Sequence, residues 1–245
     1  MTEVAENVFC FTGTYVNWVI IREGGELTLI DGGWPGDVPL VEESIRSLGH
    51  VPQDVTAILL THAHVDHMGA VAEFRRRYGT PVYSDPCEVG NAQRDYTEQA
   101  TVDDIVRGAR VDPRPWMEHV IKVMGDTDPV IPGVTPIHTA SLDIPGHPVP
   151  VRTHGHTSGH SAFYLPRQKA AVTGDALVTG HALSDIEGPQ LIPSFFNHSL
   201  PDAITALDTL AALDAGIILP GHGDPWSGPI ATAVEQARSH FTAAP

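Results

Sequence analysis

The sequence predicts an α/β fold in which two β-sheets lie face to face with helices on their outer sides. Three observations carry that reading. Short β-branched and aromatic runs separated by turn residues fill the N-terminal third, a second set of such runs returns near Val149, and each strand-rich half ends in stretches with helical spacing. At 245 residues, 42% of them hydrophobic, the chain is long enough for one substantial core, so a single domain over residues 1–245 is expected.

The elements follow in order. Val8 to Phe11, Val16 to Ile21 and Leu27 to Ile30 read as successive strands, the last ending in the turn signal Asp31-Gly32-Gly33. A helix follows, with Val41, Ile45 and Leu48 spaced for one face. The apolar run Val55 to Leu60 reads as a buried strand and delivers the chain into Thr61-His62-Ala63-His64. Another helix is expected over about Ala70 to Tyr78, and a strand over Pro81 to Tyr83. Between Pro86 and about Ile137 the character changes. Helix-compatible stretches near Glu88 to Val111 and Pro115 to Val123, then a return through Pro129, Pro132 and Pro136, predict an inserted helical cap at about 86–137.

Strands resume over Val149 to Arg152, Ser161 to Leu165 and Ala170 to Thr173, with Pro166-Arg167-Gln168-Lys169 as a hairpin turn. A helix from Pro201 to about Leu213 places Ile204, Leu207 and Ala211 on one side. A short strand, Gly216 to Leu219, and a helix from Pro229 to His240 complete the order. There is no internal repeat and no low-complexity segment.

Composition narrows the function. The net charge of −16 repels phosphate backbones, whose binding depends on Lys and Arg, so nucleic acid is not an expected partner. The longest apolar run, near Val55 to Leu60, falls far short of the roughly 20 residues of a membrane span. Met1 to Asn7 carries Glu3 and Glu6 in place of the basic region of a secretory signal, and a cytoplasmic location is expected. Cys10 and Cys87 cannot build a disulfide framework and read as buried apolar residues of a reducing compartment.

Fourteen histidines is the unusual count, and their placement carries the chemistry. His62-Ala63-His64-Val65-Asp66-His67 puts four potential ligands within six residues, directly after a buried strand. On a regular helix they would splay around the axis, whereas a loop at a strand end lets alternate side chains converge. Imidazole with carboxylate suits zinc, and also iron or manganese; no thiolate stands nearby. Three further motifs follow: Gly155-His156-Thr157-Ser158-Gly159-His160, Thr173-Gly174-Asp175, and Pro220-Gly221-His222-Gly223-Asp224. Each lies beside or just beyond a strand-like run, so the strand ends would deliver the ligands to a common edge.

In this order the motifs resemble the metallo-β-lactamase superfamily, within it the branch containing glyoxalase II hydrolases and quorum-quenching lactonases. The resemblance runs from Leu29-Ile30-Asp31-Gly32 through the His222 loop. It implies a four-layer αββα sandwich of two mixed sheets. It also implies two zinc ions, one held by His62, His64 and His156, the other by Asp66, His67 and His222, with Asp175 bridging both. Asp31 would orient a ligand histidine, and His160 is read as a structural neighbour of the ligands. Two such ions hold a bridging water, lower its pKa to give hydroxide near neutral pH, and polarise a carbonyl. Asp66 would then orient the attack. Ser158 reads as a loop residue.

The resemblance suggests that true β-lactamases lack the bridging aspartate, so Asp175 disfavours antibiotic hydrolysis. RNA-processing relatives add basic exosites or extra domains, and flavodiiron relatives place glutamate where Ala63 stands and add a flavodoxin domain; neither pattern is expected here. Glyoxalase II binds glutathione through a basic C-terminal extension, whereas the Pro229 to His240 segment offers only Arg238. The expected function is therefore metal-dependent hydrolysis of an ester, thioester or lactone of a small molecule. The alternatives are a mononuclear iron enzyme like persulfide dioxygenase and a non-catalytic metal-binding protein. Lactonases place a tyrosine near the metals, leaving Tyr83, Tyr96 and Tyr164 as counterparts. Expected substrate walls are the helical insertion, containing Tyr96, Trp116 and Met117, and the loop Leu191 to His198. A homo-oligomer is compatible with the sequence.

Overall fold

Strand residues here are apolar on both faces, and period-two alternation divides them between different cores. The structure, a computed structural model, describes residues 2–124 and 128–242. Strands β1 (Thr2–Ala5), β2 (Val8–Thr12), β3 (Asn17–Glu23) and β4 (Glu26–Ile30) form an antiparallel meander. Helix α1 (Val38–Ser47) then returns the chain to β5 (Val55–Leu59), parallel to β4. Helix α2 (Val65–Tyr78) leads to β6 (Val82–Ser84). The helices α3 (Val89–Ala92), α4 (Val102–Gly108) and α5 (Arg114–Met124) precede β7 (Thr135–Pro136), which closes a seven-stranded sheet ordered β1 to β7.

In the second sheet β8 (Val149–Arg152), β9 (Ser161–Leu165) and β10 (Ala170–Gly174) are antiparallel neighbours. After helix α6 (Leu200–Ala211), β11 (Ile217–Pro220) joins parallel to β10, then β12 (Trp226–Ser227) pairs with it, and α7 (Ile230–Thr242) follows. The order is β12-β11-β10-β9-β8, so both sheets are mixed.

Alternation fixes the layers. Phe9, Trp18, Ile20, Leu27, Leu29 and Ile58 point outward, onto Val41 and Ile45 of α1 and Met68, Val71 and Phe74 of α2. Their neighbours Val8, Cys10, Val19, Ile21, Ile30 and Leu59 point inward and meet Phe163, Leu165, Val172 and Leu219 of the second sheet. On the far side Ala162, Ala171 and Ile218 face Leu207 and Leu210 of α6 and Ala233, Val234 and Ala237 of α7. The molecule is thus the expected αββα sandwich. Burying a side chain such as Phe74 or Phe163 completely contributes about 1.5–3 kcal/mol, so the three layered clusters dominate stability.

Several boundaries differ from expectation. Helix α2 begins at Val65 instead of Ala70, which puts Asp66 and His67 in its first turn. His64 stands at the N-cap without a capping side-chain bond, so no Ser, Thr or Asp marks the start in the sequence. The stretch Glu88 to Val111 holds two short helices instead of one. Arg94 adopts a left-handed φ of 62°, and α4 restarts at a capping box in which the Thr101 hydroxyl accepts from Asp104 N–H at 3.2 Å. On α6 the buried face is Ala203, Ala206, Leu207 and Leu210; Ile204 and Ala211 lie at its margin. The β1 and β12 edge strands had no sequence signal. Cys10 is buried as expected, but Cys87 is exposed, because it follows β6 on a surface turn. Residues 125–127 of the expected cap lie outside the described residues. No helix among the described residues is long and apolar enough to cross a membrane.

Candidate metal centre

Parallel strands end on one edge of the sandwich, and the loops beyond them carry the polar residues the sequence singled out. β4 leads into Asp31, β5 into Thr61 and His62, β10 into Asp175, and β11 into Gly221 and His222. The His156 loop connects β8 to β9. The side chains assemble into two groups, His62-His64-His156-Asp175 and Asp66-His67-His222, in each of which one ligand atom per residue lies within 4.8 Å of the others. The helix start explains the division. His62 and His64 alternate on extended backbone, whereas Asp66 and His67 turn away on the first turn of α2.

Asp175 stands between the groups. Its Oδ2 lies 3.8 Å from His62 Nε2, 3.5 Å from His156 Nε2 and 3.1 Å from His222 Nε2, while Oδ1 lies 3.5 Å from His67 Nε2. Asp66 Oδ2 lies 3.8 Å from His67 Nε2 and 3.5 Å from His222 Nε2.

Outer partners fix the histidine tautomers. Thr61 Oγ1 donates to Asp31 Oδ2 at 2.7 Å, so His62 Nδ1, 3.0 Å from that hydroxyl, must be the donor to it. His64 Nε2 donates to the Glu98 carbonyl at 2.7 Å, His67 Nδ1 to Asp31 Oδ2 at 2.9 Å, and His222 Nδ1 to the Tyr15 carbonyl. In its neutral form each of these rings therefore turns a lone pair inward. His156 Nε2 meets His62 Nε2 at 3.1 Å and His64 Nδ1 at 3.0 Å, three nitrogens that no single proton can satisfy. His67 Nε2 and Asp175 Oδ1 are buried without hydrogen-bond partners. Converging, unsatisfied lone pairs of imidazole and carboxylate fit divalent metal ions.

Electrostatics point the same way. Burial, reinforced by neighbouring imidazoles, pushes His62 and His156 well below the usual histidine range. At His67 burial opposes charge, but Asp175, Asp66 and Asp31 prevail and lift it to about 10; His222 is also raised, against burial, by Asp175. Burial would raise the Asp175 carboxyl, but His222 and His67 hold it well below the carboxylate range. The carboxylates thus demand positive charge at this point.

Asp31 grips His67 through Oδ2, and its Oδ1 accepts from Thr61 N–H at 2.8 Å. The Gly32 amide donates to the His67 carbonyl at 2.9 Å and Ala70 N–H to the Gly32 carbonyl at 2.9 Å, tying this turn to α2. His160 is no part of either group. Burial pushes it down to about 3, its Nε2 accepts from Asp175 N–H at 3.1 Å, and Nδ1 faces Thr153 Oγ1 at 2.8 Å. Gly221 allows the closest approach: a Cβ there would collide with Asp175 Oδ1 and sit 2.9 Å from His67 Cε1. Gly221→Ala should lower metal occupancy and reduce any turnover by about 10–100-fold; elemental analysis of the variant against wild type checks it.

Glu88 escaped the sequence reading. It is fully buried, and burial raises its carboxyl above the usual range although hydrogen bonds pull the other way. Oε1 accepts from Ala63 N–H at 2.8 Å and Asn91 Nδ2 at 2.8 Å, and Oε2 from Thr157 Oγ1 at 2.6 Å and Gly159 N–H at 3.1 Å. One side chain thereby ties together the two loops that carry His62, His64 and His156.

Above the cluster lies a narrow cavity of about 40 Å³, floored by His64, Asp66, Asp175 and His222. Of the expected walls, Gln99, Ala100, Ile105 and Trp116 from residues 86–137 and Ile192 and Phe196 from the later loop line it; Trp34 and His181 join them unforeseen. Tyr96 and Met117 do not line it: Tyr96 OH donates to the Cys87 carbonyl at 2.6 Å, and Met117 packs against the cluster of Trp34, Ile105, Trp116 and Leu183. Tyr83 and Tyr164 are likewise absent from the lining, the Tyr164 hydroxyl binding the Asp214 carbonyl at 2.9 Å. Ser158 is a loop residue whose amide donates to Glu98 Oε2 at 2.7 Å.

Known proteins resemble this chain in sequence and fold. The sequence profile of the metallo-beta-lactamase superfamily matches residues 11–222. The probable metallo-hydrolase YflN of Bacillus subtilis (strain 168) is 27% identical, the match covering 92% of this chain and 87% of YflN. A hydroxyacylglutathione hydrolase of Klebsiella pneumoniae is 26% identical over 78% of this chain but only 59% of its own length. A metallo-beta-lactamase family protein from Thermus thermophilus superposes with a TM-score of 0.70 at 25% identity, covering 96% of this chain and 79% of that one. The Rm3 metallo-beta-lactamase superposes with a TM-score of 0.69 at 19% identity, over 97% and 90% of the two chains, a likeness of fold.

Proposed function

The chain belongs to the metallo-beta-lactamase superfamily, and from that membership we propose that it is a single-domain, zinc-dependent hydrolase of a small ester, thioester or lactone, with residues 86–137 as a cap over the centre. The observation that carries the reading is the pair of ligand groups that meet at Asp175. In it His62, His64 and His156 would hold one ion and Asp66, His67 and His222 the other, with Asp175 available to both. Two divalent ions would supply a water acidic enough to ionise near neutral pH and a Lewis acid for the substrate carbonyl.

The chain's own residues do the rest. Asp66, whose side chain is 13% exposed and lines the cavity, accepts a hydrogen bond from the attacking water and orients it. Trp34, Ile105, Trp116, Ile192 and Phe196 grip an apolar acyl group and exclude bulk water, which strengthens every electrostatic interaction beneath them. A cavity of about 40 Å³ has room for about three waters, so the cap side chains must shift to admit substrate. The name of the Klebsiella relative keeps thioesters among the candidates.

The test is metal content per chain by elemental analysis on protein purified without added metal, followed by an ester, thioester and lactone panel. Near two zinc ions with turnover is the expected result. A single iron with oxygen consumption would replace the proposal with the dioxygenase alternative, and bound metal without turnover across the panel would leave a metal-binding protein.

A further inference from the structure

The cavity contains a histidine with no place in either ligand group. His181 lines it beside His222, ring centroids 4.9 Å apart, with Phe196 at 5.2 Å and Trp116 at 6.4 Å. Leu183 N–H donates to His181 Nδ1 at 3.0 Å. A ring nitrogen that accepts from an amide carries no proton, so the neutral ring keeps its proton on Nε2. The backbone around it is tied down: Thr179 N–H donates to the His222 carbonyl at 3.1 Å, Thr179 Oγ1 to the Asp224 carbonyl at 2.6 Å, and Ser184 N–H to the His181 carbonyl at 2.9 Å. His181 is therefore positioned by the same loop that positions His222.

A second donor faces the same problem. Trp34 lines the cavity, is 2% exposed, and its indole Nε1–H has no acceptor among the described residues. Buried N–H groups without partners are rare and costly unless a ligand completes them. Both line the cavity that is floored by His64, Asp66, Asp175 and His222.

We propose that His181 Nε2–H, assisted by Trp34 Nε1–H, donates a hydrogen bond to the acyl oxygen of the substrate and, after hydrolysis, to the product carboxylate. No proton is transferred: a neutral imidazole whose Nδ1 already accepts from Leu183 acts as a fixed donor, not an acid. The donor meets charge as it develops, without reorganising, in a water-poor site. This inference rests on the hydrolase reading.

The test compares wild type, His181→Phe, His181→Gln and Trp34→Phe as zinc-loaded proteins, measuring zinc per chain, kcat and KM on any ester turned over, and the Kd of benzoate by calorimetry. His181→Phe keeps an aromatic ring against Phe196 and Trp116 but loses the donor. It should retain full zinc, lose about 10–100-fold in kcat, and bind benzoate at least about 5-fold more weakly. His181→Gln, which restores an N–H near the same place, should recover most of both, and Trp34→Phe should weaken benzoate by a smaller factor. Wild-type kcat and benzoate affinity in His181→Phe would overturn the proposal, as would loss of zinc in that variant, which would make His181 a support of the metal site. If wild type itself hydrolyses nothing, the hydrolase reading fails, and an unchanged benzoate Kd in His181→Phe would separately sink the donor role.

Discussion

Replacing Asp175 by alanine should strip at least one metal ion from the centre and lower hydrolytic turnover by about 1000-fold or more, while the chain stays folded. No other carboxylate among the described residues approaches histidines of both groups: Oδ2 lies 3.5 Å from His156 and 3.1 Å from His222, and Oδ1 3.5 Å from His67. Losing an outer partner of a ligand already costs about 10–100-fold in metal affinity, and if Asp175 serves both groups as proposed its loss would cost more. The fold should survive because the backbone at this point is held independently, Asp175 N–H by His160 Nε2 at 3.1 Å and the Gly174 carbonyl by Gly221 N–H at 2.9 Å. Charge is separable from shape: Asp175→Asn keeps the volume, and it too should lose metal if the anion is what the site requires. Elemental analysis, turnover and a thermal melt on each variant decide the matter. Full activity in Asp175→Ala would sink the shared-ligand mechanism.

What could be read from the sequence follows a physical pattern. The buried strand ending at Leu59 is apolar apart from Thr56, and the polar motifs after β5, β8, β10 and β11 fall where strands hand over to loops, so both the layers and the side chains that cluster at their edge were legible. Helix α2 starts at Val65, five residues before the expected Ala70, because its first turn sets the polar Asp66 and His67 between the buried Val65 and Met68 and so blurs the helical pattern. The aromatic wall of the cavity was only partly visible, since Trp34, Trp116 and Phe196 come together from distant positions that no local spacing relates. His181 is a single histidine in a loop, and Glu88 a single glutamate at the entrance of the cap; nothing in the neighbouring residues separates either from a solvated side chain. Their burial and partners are properties of the folded chain alone.

Glu88 offers the second large effect, and it acts on stability as well as on the site. Each of its oxygens serves one loop: Oε1 takes the Ala63 amide and the Asn91 side chain, Oε2 the Thr157 hydroxyl and the Gly159 amide. Glu88→Ala would leave these four donors in a buried space without an acceptor. An unsatisfied buried donor costs about 1–3 kcal/mol, with partial relief from relaxation and entering water, so a loss of about 3–5 kcal/mol is expected. For a chain of this size that is a fall in Tm of about 10 °C or more. Glu88→Gln should lie between, because its carbonyl can still serve one pair of donors while its NH₂ opposes the other. The two loops released are those of His62, His64 and His156, whereas Asp66 and His67 are held by the first turn of α2 and Asp31. Metal content in Glu88→Gln, which keeps more of the fold, should therefore drop toward one ion per chain, the ion lost being that of the His62-His64-His156 group. A Tm within about 2 °C of wild type in Glu88→Ala would show that other contacts join the loops, and equal loss of both ions in Glu88→Gln would show that the two groups do not respond separately.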